Sequence, residues 1–317
     1  MEKRKIGNTA LEFLPLVFGG NVFGWTVDQA TSFQLLDEFY ANGFTFIDTA
    51  DVYSNWVPGN EGGESERIIG NWQKARGNRD KLIIATKVGS TMVRSPQKTL
   101  KKDYILKAVE GSLKRLQTDY IDLYQSHYDD LSTPVEEPLE AYAQLIKEGK
   151  VRYIGASNFS ASRLQAALSA SKTNGLPRYE SLQPFYNLYD RAEYEEQLEQ
   201  LALKEKLGVI PYYSLASGFL TGKYRSEVDL GQSARGAGVK NYLNKRGFSI
   251  LKALDELAEN YKATPAQISL AWLLAKKSIA APIASATKSH QLTELLGALR
   301  IKLDENSMLK LDKASVF

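Results

Sequence analysis

The chain has 317 residues, of which 43% are hydrophobic and 24% charged, with a net charge of +3 and no cysteine. This length buries a sizeable core without metal or disulfide staples, and the missing cysteines exclude disulfides, thiolate nucleophiles and cysteine-bound zinc or iron–sulfur centres. The small, interspersed charge gives no argument for nucleic acid or an anionic membrane as partner. With no signal-like apolar segment behind the charged N-terminus and no run of ~18 apolar residues, the expectation is a cytoplasmic protein. The sequence is silent on oligomeric state.

In chain order, residues 3–6 and 11–14 flank a Gly7-Asn8 turn signal and predict a β-hairpin. Eight strand-like runs follow, at 16–20, 44–50, 82–88, 121–127, 151–157, 181–185, 209–213 and 280–285. Several are nearly continuous apolar runs, as expected of parallel strands covered on both faces. Helical periodicity lies between them, at 32–41, 106–116, 139–146, 164–168, 198–207, 250–261 and 266–275. Two helical patterns before the last strand make one helix extra. Alternation repeated eight times, without a Gly-x-Gly-x-x-Gly after the first strand, favours a (β/α)8 TIM barrel with an N-terminal hairpin and extra helices, as one domain over 1–317. A doubly wound sheet is the alternative. The long irregular stretch 217–244 holds five glycines and the bases Lys223, Arg225, Arg235 and Lys240. It follows the seventh barrel strand, and we read it as a mobile loop covering a cofactor or substrate.

In a barrel, chemistry sits at the carboxyl ends of the strands. Polar residues there are Asp48, with Tyr53 in the loop after it, then Lys87, His127, Ser157 with Asn158, Gln183, and Tyr212 with Tyr213. Asp48 and Lys87 lie inside apolar runs, where an unpaired charge is costly, so neighbouring strands make them partners. Each residue alone has a structural reading as an ion pair or packing group. Together they present Asp, Lys and His to one mouth beside a tyrosine. A phenol with a reference pKa of about 10 is a poor proton donor at neutral pH, and a nearby ammonium is expected to lower it. Aspartate would hold the lysine charged, and histidine would align a carbonyl oxygen. Such a group donates a proton to that oxygen while another species attacks the carbon. No serine or cysteine nucleophile is evident, so the attacking species is expected from a cofactor.

Four stretches also carry a resemblance to the aldo-keto reductases over essentially the whole chain: Phe46-Ile47-Asp48-Thr49-Ala50-Asp51-Val52-Tyr53; Leu113-Lys114-Arg115-Leu116 through Asp119-Tyr120-Ile121-Asp122-Leu123-Tyr124 with His127; Gly155-Ala156-Ser157-Asn158-Phe159; and Gly218-Phe219-Leu220-Thr221-Gly222-Lys223. The resemblance implies a catalytic tetrad of Asp48, Tyr53, Lys87 and His127, with Tyr53 as general acid, and NADPH as hydride donor. It further implies that Ser157, Asn158 and Gln183 bond the carboxamide, that Tyr212 stacks on the nicotinamide, and that Tyr213, Leu215, Ser217 and Lys223 line the pyrophosphate. After the last strand, Ser285, Thr287, Lys288, Gln291 and Glu294 stand where the family holds the adenosine phosphate, with Lys288 as the remaining base for a 2′-phosphate. The chain departs from the family's pattern at Leu295, where asparagine is usual, and at Tyr213-Ser214, where Ser-Pro is common.

Trp25, Trp56, Tyr128, Phe185 and Tyr186, with Tyr53, are expected to wall the pocket and suit an apolar or ring-containing carbonyl compound. Rival enzyme classes fit less well. His127 and His290 are too few for a barrel metallohydrolase. Asp129 and Asp130 follow the fourth strand, but the seventh ends without the second carboxyl group a glycosidase needs. Lys87 as a Schiff-base nucleophile is opposed by Asp48 beside it. A binding role, like that of the channel beta subunits that resemble this family, keeps the same motifs; turnover of NADPH with simple aldehydes separates it from an enzyme.

Overall fold

The computed structural model describes residues 2–91 and 98–317. The hairpin is present, with β1 (Arg4–Lys5) antiparallel to β2 (Glu12–Phe13). The eight barrel strands follow: β3 (Val17–Gly19), β4 (Phe46–Asp48), β5 (Ile83–Val88), β6 (Ile121–Ser126), β7 (Val151–Ser157), β8 (Tyr179–Gln183), β9 (Gly208–Val209) and β10 (Ile283–Ala284). All are parallel, and β10 pairs back onto β3. The remaining seam closes through Ala280 N–H donating to Val209 O at 2.8 Å and Ile283 N–H to Pro211 O at 3.0 Å. That closure removes the doubly wound alternative.

Three strands are cut short of their expected limits near a proline. Pro184, Pro211 and Pro282 have no N–H to give a ladder, so β8 ends at Gln183, β9 at Val209, and β10 begins only at Ile283. The chain stays extended past two of these breaks: Phe185 bridges Tyr212, and Tyr212 N–H reaches Pro184 O at 3.0 Å. Aromatic residues are thereby carried up to the mouth.

The helices are α1 (Gln29–Ala41), α2 (Glu64–Arg76), α3 (Lys102–Leu116), α4 (Glu136–Lys147), α5 (Ala161–Asn174), α6 (Glu199–Glu205), α7 (Lys245–Tyr261), α8 (Pro265–Ala275), α9 (Ser289–Gly297) and α10 (Glu305–Ala314). Many start on a side-chain cap: Asp28, Ser160, Asn244, Thr264 and Asp304 each accept from a backbone N–H of the first turn. Helix α2 is absent from the periodicity reading because its buried face carries Glu66 and Gln73 among Ile69 and Trp72. It lies so close to α3 that a Cβ on Gly70 would come within 2.2 Å of the Arg115 carbonyl oxygen.

Two apolar clusters result. The outer one fills the space between sheet and helices, with Trp72, Tyr142 and Trp272 fully buried. The inner one fills the barrel with Val17, Phe46, Ile83, Leu123 and Ile210, and the hairpin plugs it with Ile6, Leu11 and Phe13. Phe13 meets Phe46 edge-on at 4.9 Å. The amino-terminal end of the barrel is thus closed by apolar packing, and the polar strand ends are left at the other mouth. The stretch 217–244 contains no α-helix or strand. It is built on 3₁₀ turns at Ala216–Thr221, Glu227–Gln232 and Gly236–Tyr242, and it buries Phe219, Tyr224, Val239 and Tyr242. Among the described residues no helix is long and apolar enough to cross a membrane.

Candidate active site

Side chains alternate along a strand, so residues at the carboxyl ends either enter the barrel or turn toward the helices. Lys87 enters and is wholly buried. Its ammonium donates to Asp48 Oδ2 at 2.5 Å, to the Thr49 carbonyl at 2.9 Å and to Tyr53 Oη at 2.8 Å. Three acceptors use its three hydrogens. Asp48 is buried beside it, and its other oxygen accepts from Gln125 Nε2 at 3.1 Å and Gln183 Nε2 at 2.9 Å. The carboxylate and ammonium are therefore both paired and hydrogen-bonded, which is the condition for holding charges in an interior. Tyr53 is half-buried at the rim of this group, with its hydroxyl 3.5 Å from Asp48 Oδ2.

Burial lifts the Tyr53 phenol well above its usual pKa, and the Asp48 charge pushes the same way. This is opposite to the direction expected from the ammonium alone. Tyr53 shares Lys87 with a carboxylate, and enclosure plus that negative charge outweigh the cation. Tyr53 accordingly carries its proton at neutral pH. Burial lowers the Lys87 pKa, with Asp48 opposing. His127 follows β6 and is enclosed; burial, then Lys87 and Lys98, hold its imidazole well below the usual range, so it is neutral. Its ring lies 6.0 Å from the Tyr53 ring and stacks on Tyr128 at 5.0 Å. Its Nδ1 is buried without a hydrogen-bond partner among the described residues.

A second polar chain runs along the same mouth. Tyr212 Oη donates to Asn158 Oδ1 at 2.7 Å, Asn158 Nδ2 to the His127 carbonyl at 2.8 Å, and Ser157 Oγ to the Gln183 carbonyl at 2.9 Å. Asn158 and Tyr213 sit at φ of 55° and 57°, a region ordinary side chains avoid and functional sites often hold. Leu215 stands just before the first 3₁₀ turn of the loop, Ser217 on it and Lys223 just after it. Past β10, Ser285 Oγ donates to Asn21 Oδ1 at 2.8 Å, and Thr287 donates twice to Gln291 Oε1. Lys288 is exposed at the start of α9, while the backbone carbonyl of Glu294 accepts from Gln267.

The aromatic residues divide into two walls. Trp25 meets Trp56 at 5.6 Å, and Trp56 meets Tyr53 at 6.1 Å. Opposite, Phe185 packs on Tyr212 at 5.6 Å and on Tyr213 at 5.4 Å. Tyr186 joins neither. It is fully buried between Tyr194 and Trp272, with its hydroxyl on Glu195, so it belongs to the core and not to the pocket. As the next residue after Phe185 in extended chain, it points to the other face.

Sequence reading missed Gln125, although a polar residue two places beyond Leu123 in an apolar run is a signal of an inward position. It also passed over Asp51, which is turned toward Glu66, Arg115 and Tyr124. Neither Asp51 carboxyl oxygen has a hydrogen-bond partner among the described residues, and Tyr124 Oη has none either. Burial, and then Glu66, raise the Asp51 pKa to about 8. Nothing in its residue type foretells this.

The rival chemistries find no footing in the geometry. Among the described residues no cluster of histidine, cysteine or acidic side chains could hold a metal. Asp129 is taken by Arg163 at 2.8 Å. At Asp130, burial works upward, but hydrogen bonds from Ser132, Thr133 and the Leu100 backbone prevail and hold it at about 2. Neither is poised for acid–base work.

A closed (β/α)8 barrel with a hydrogen-bonded Tyr–Lys–Asp group at its carboxyl mouth is the architecture of a barrel oxidoreductase. The family model for the aldo/keto reductase family matches residues 15–316, and the chain belongs to that family. It is 34% identical to the uncharacterized oxidoreductase YrpG of Bacillus subtilis, over 98% of this chain and 95% of that one. It is 32% identical to norsolorinic acid reductase of Aspergillus flavus, over 96% and 78%, and 30% identical to protein tas of Escherichia coli, over 98% and 97%. The chain is an NAD(P)H-dependent oxidoreductase of a family that acts on small carbonyl compounds.

Proposed function

We propose that the chain reduces an aldehyde or ketone to an alcohol with NADPH, using Tyr53 as the proton donor. The observation that carries this is the single Lys87 ammonium gripping Asp48 Oδ2 at 2.5 Å and Tyr53 Oη at 2.8 Å together. The reduced nicotinamide, when bound, supplies the hydride that goes to the carbonyl carbon. Tyr53 Oη gives its proton to the carbonyl oxygen, and the phenolate left behind faces Lys87. That ammonium favours the anion at the moment it forms, which offsets the upward pull of burial on the resting phenol. Asp48 holds Lys87 in place, and Gln125 and Gln183 hold Asp48. Neutral His127 supplies a hydrogen-bonding group beside Tyr53 to orient the carbonyl, and Tyr53 regains its proton from solvent at the mouth.

The residues present fit a nicotinamide. Asn158 and Ser157 put an amide and a hydroxyl beside the half-exposed Tyr212 ring, and Tyr213 is 49% exposed next to it. Ser285, Thr287 and Lys288 at the start of α9 support a 2′-phosphate and so NADPH over NADH. In this reading the protein is a cytoplasmic, single-domain enzyme over residues 1–317. The name norsolorinic acid reductase belongs to one relative and gives no substrate here; the two aromatic walls suit a ring-bearing carbonyl. The test is a panel of aldehydes and ketones followed by NADPH absorbance, with fluorescence titration by both dinucleotides. Absence of turnover on every compound would count against the reduction, and tighter NADH binding against the cofactor choice.

A further inference from the structure

We propose that Asn187 is a positioning residue, whose side-chain amide fixes the Tyr213 carbonyl and so sets the Tyr212–Tyr213 wall of the mouth. The proposal rests on the mouth being the ligand site of the reading above. Tyr213, Ala216 and Ser217 sit at φ of 57°, 47° and 57°, with Gly218 at 97°. Three side chains in the left-handed region within five residues make a costly backbone. Such a backbone persists only where its surroundings over-determine it. Within the segment, the Tyr213 carbonyl accepts from Ala216 N–H at 2.7 Å. From outside, the same carbonyl accepts from Asn187 Nδ2 at 3.1 Å.

Asn187 is itself held rigidly. It follows β8 by four residues and is fully buried. Its Oδ1 accepts from the backbone N–H groups of Tyr189 and Asp190 at 2.8 and 2.9 Å, so a tight turn fixes the side chain. Both hydrogens of Nδ2 are then spent, one on the Tyr213 carbonyl and one on Asp190 Oδ2 at 2.8 Å. That Asp190 oxygen also accepts from Tyr242 Oη at 2.8 Å, and Tyr242 stacks on Phe219 at 5.3 Å. The turn therefore grips the long stretch after β9 near both of its ends, at Tyr213 and at Tyr242.

The turn is anchored from behind. Arg246 Nη2 donates to the carbonyls of Tyr189 and Ser315, and Arg191 Nη1 donates to the Asp312 carbonyl at 3.1 Å and Ser315 Oγ at 2.7 Å. The end of α10 thus backs the turn against the barrel. Toward the mouth, Phe185 bridges Tyr212 and packs on Tyr213 at 5.4 Å, while Tyr212 Oη bonds Asn158 at 2.7 Å. Releasing the Tyr213 carbonyl frees its peptide to rotate, and both tyrosine rings move with it.

Two variants isolate the donor. Asn187→Asp and Asn187→Ser each keep an oxygen for the turn and lose the amide that reaches Tyr213. Each should raise the NADPH Kd, read by tryptophan fluorescence, about tenfold, the scale of one buried hydrogen bond. The kcat for benzaldehyde at saturating NADPH should stay within about twofold of wild type, because the Tyr53–Lys87 group is untouched. Amide hydrogen exchange without ligand should quicken at 213–218 and keep wild-type rates in α3 and α4, whereas a general loss of stability quickens it everywhere. A wild-type Kd in a folded variant overturns the proposal, and so does a raised Kd with unchanged exchange at 213–218. A tenfold fall in kcat overturns it as well, since Asn187 would then act on the proton transfer. If neither variant folds, Asn187 serves the fold alone and the proposal falls. A wild type that neither binds NADPH nor turns over benzaldehyde counts against the reductase reading, and the exchange arm then decides Asn187 by itself.

Discussion

Asp48 and Asp51 belong to one short segment at the end of β4, and both are buried, yet the barrel treats them oppositely. Asp48 turns inward and collects donors from Lys87, Gln125, Gln183 and Tyr53. Asp51 turns outward toward α2 and α3, where Glu66 has already claimed Arg115 at 2.6 Å and the Thr86 hydroxyl at 2.6 Å. One carboxylate is held as a paired anion, and the other finds little among the described residues to offset its burial, its pKa raised to about 8. The same side chain thus serves two ends, decided by which neighbours the fold has free.

If the inward group carries the chemistry, the largest loss comes from its edge. Tyr53→Phe removes only the hydroxyl, and carbonyl reduction should fall by roughly 10²–10⁴-fold while the NADPH Kd stays near that of the wild type. Steady-state rates and fluorescence titration check this, and full activity would remove Tyr53 from the role of acid. Lys87→Met should cost a comparable factor, because the phenolate loses its counter-charge. It should also lower stability by about 3 kcal/mol, since Asp48 keeps its amide donors but loses its cation. Urea unfolding reads the second effect; an unchanged midpoint would mean the pair adds nothing to the fold.

The outward carboxyl should act on stability in a different way. Its folded pKa is raised, so the folded chain holds that proton more tightly than the unfolded one. The stabilising contribution is complete below the unfolded value near ~3.9 and is lost as the pH climbs through about 8. Asp51→Asn is neutral throughout. Its stability should therefore fall less than that of wild type between pH 5 and 9, by on the order of a few kcal/mol, with little change in the neutral-pH rate. Parallel urea curves at the two pH values would contradict this. The smallest effect concerns His127. Held neutral by burial and by Lys87 and Lys98, it should show no imidazole titration between pH 6 and 7.5 by NMR, whereas a step near its ordinary value would place it in water.

The gross plan was legible because it rests on periodicity. Short strand-like runs, several of them nearly continuously apolar, marked the barrel strands, and the Gly7-Asn8 turn marked the hairpin. The strand limits at Pro184, Pro211 and Pro282 were also in the sequence, since a missing N–H is a property of the residue itself. Helix α2 was not, because Glu66 and Gln73 on its inner face disguise the apolar stripe. Of the pocket residues, Tyr186 was misplaced: composition identifies an aromatic, but as the neighbour of Phe185 in extended chain it faces the core.

By itself the sequence determined which strand ends carry Asp48, Lys87, His127 and Asn158, and hence that these polar side chains gather at one mouth. Strand order and alternation follow from local pattern, and local pattern is written in the chain. Only the tertiary structure decided that the Tyr53 pKa is pushed up and not down, that Asp51 holds its proton, and that Arg235 stands over Trp25. Those outcomes depend on burial and on competition for partners distant in sequence, and neither quantity belongs to any residue until the barrel has closed.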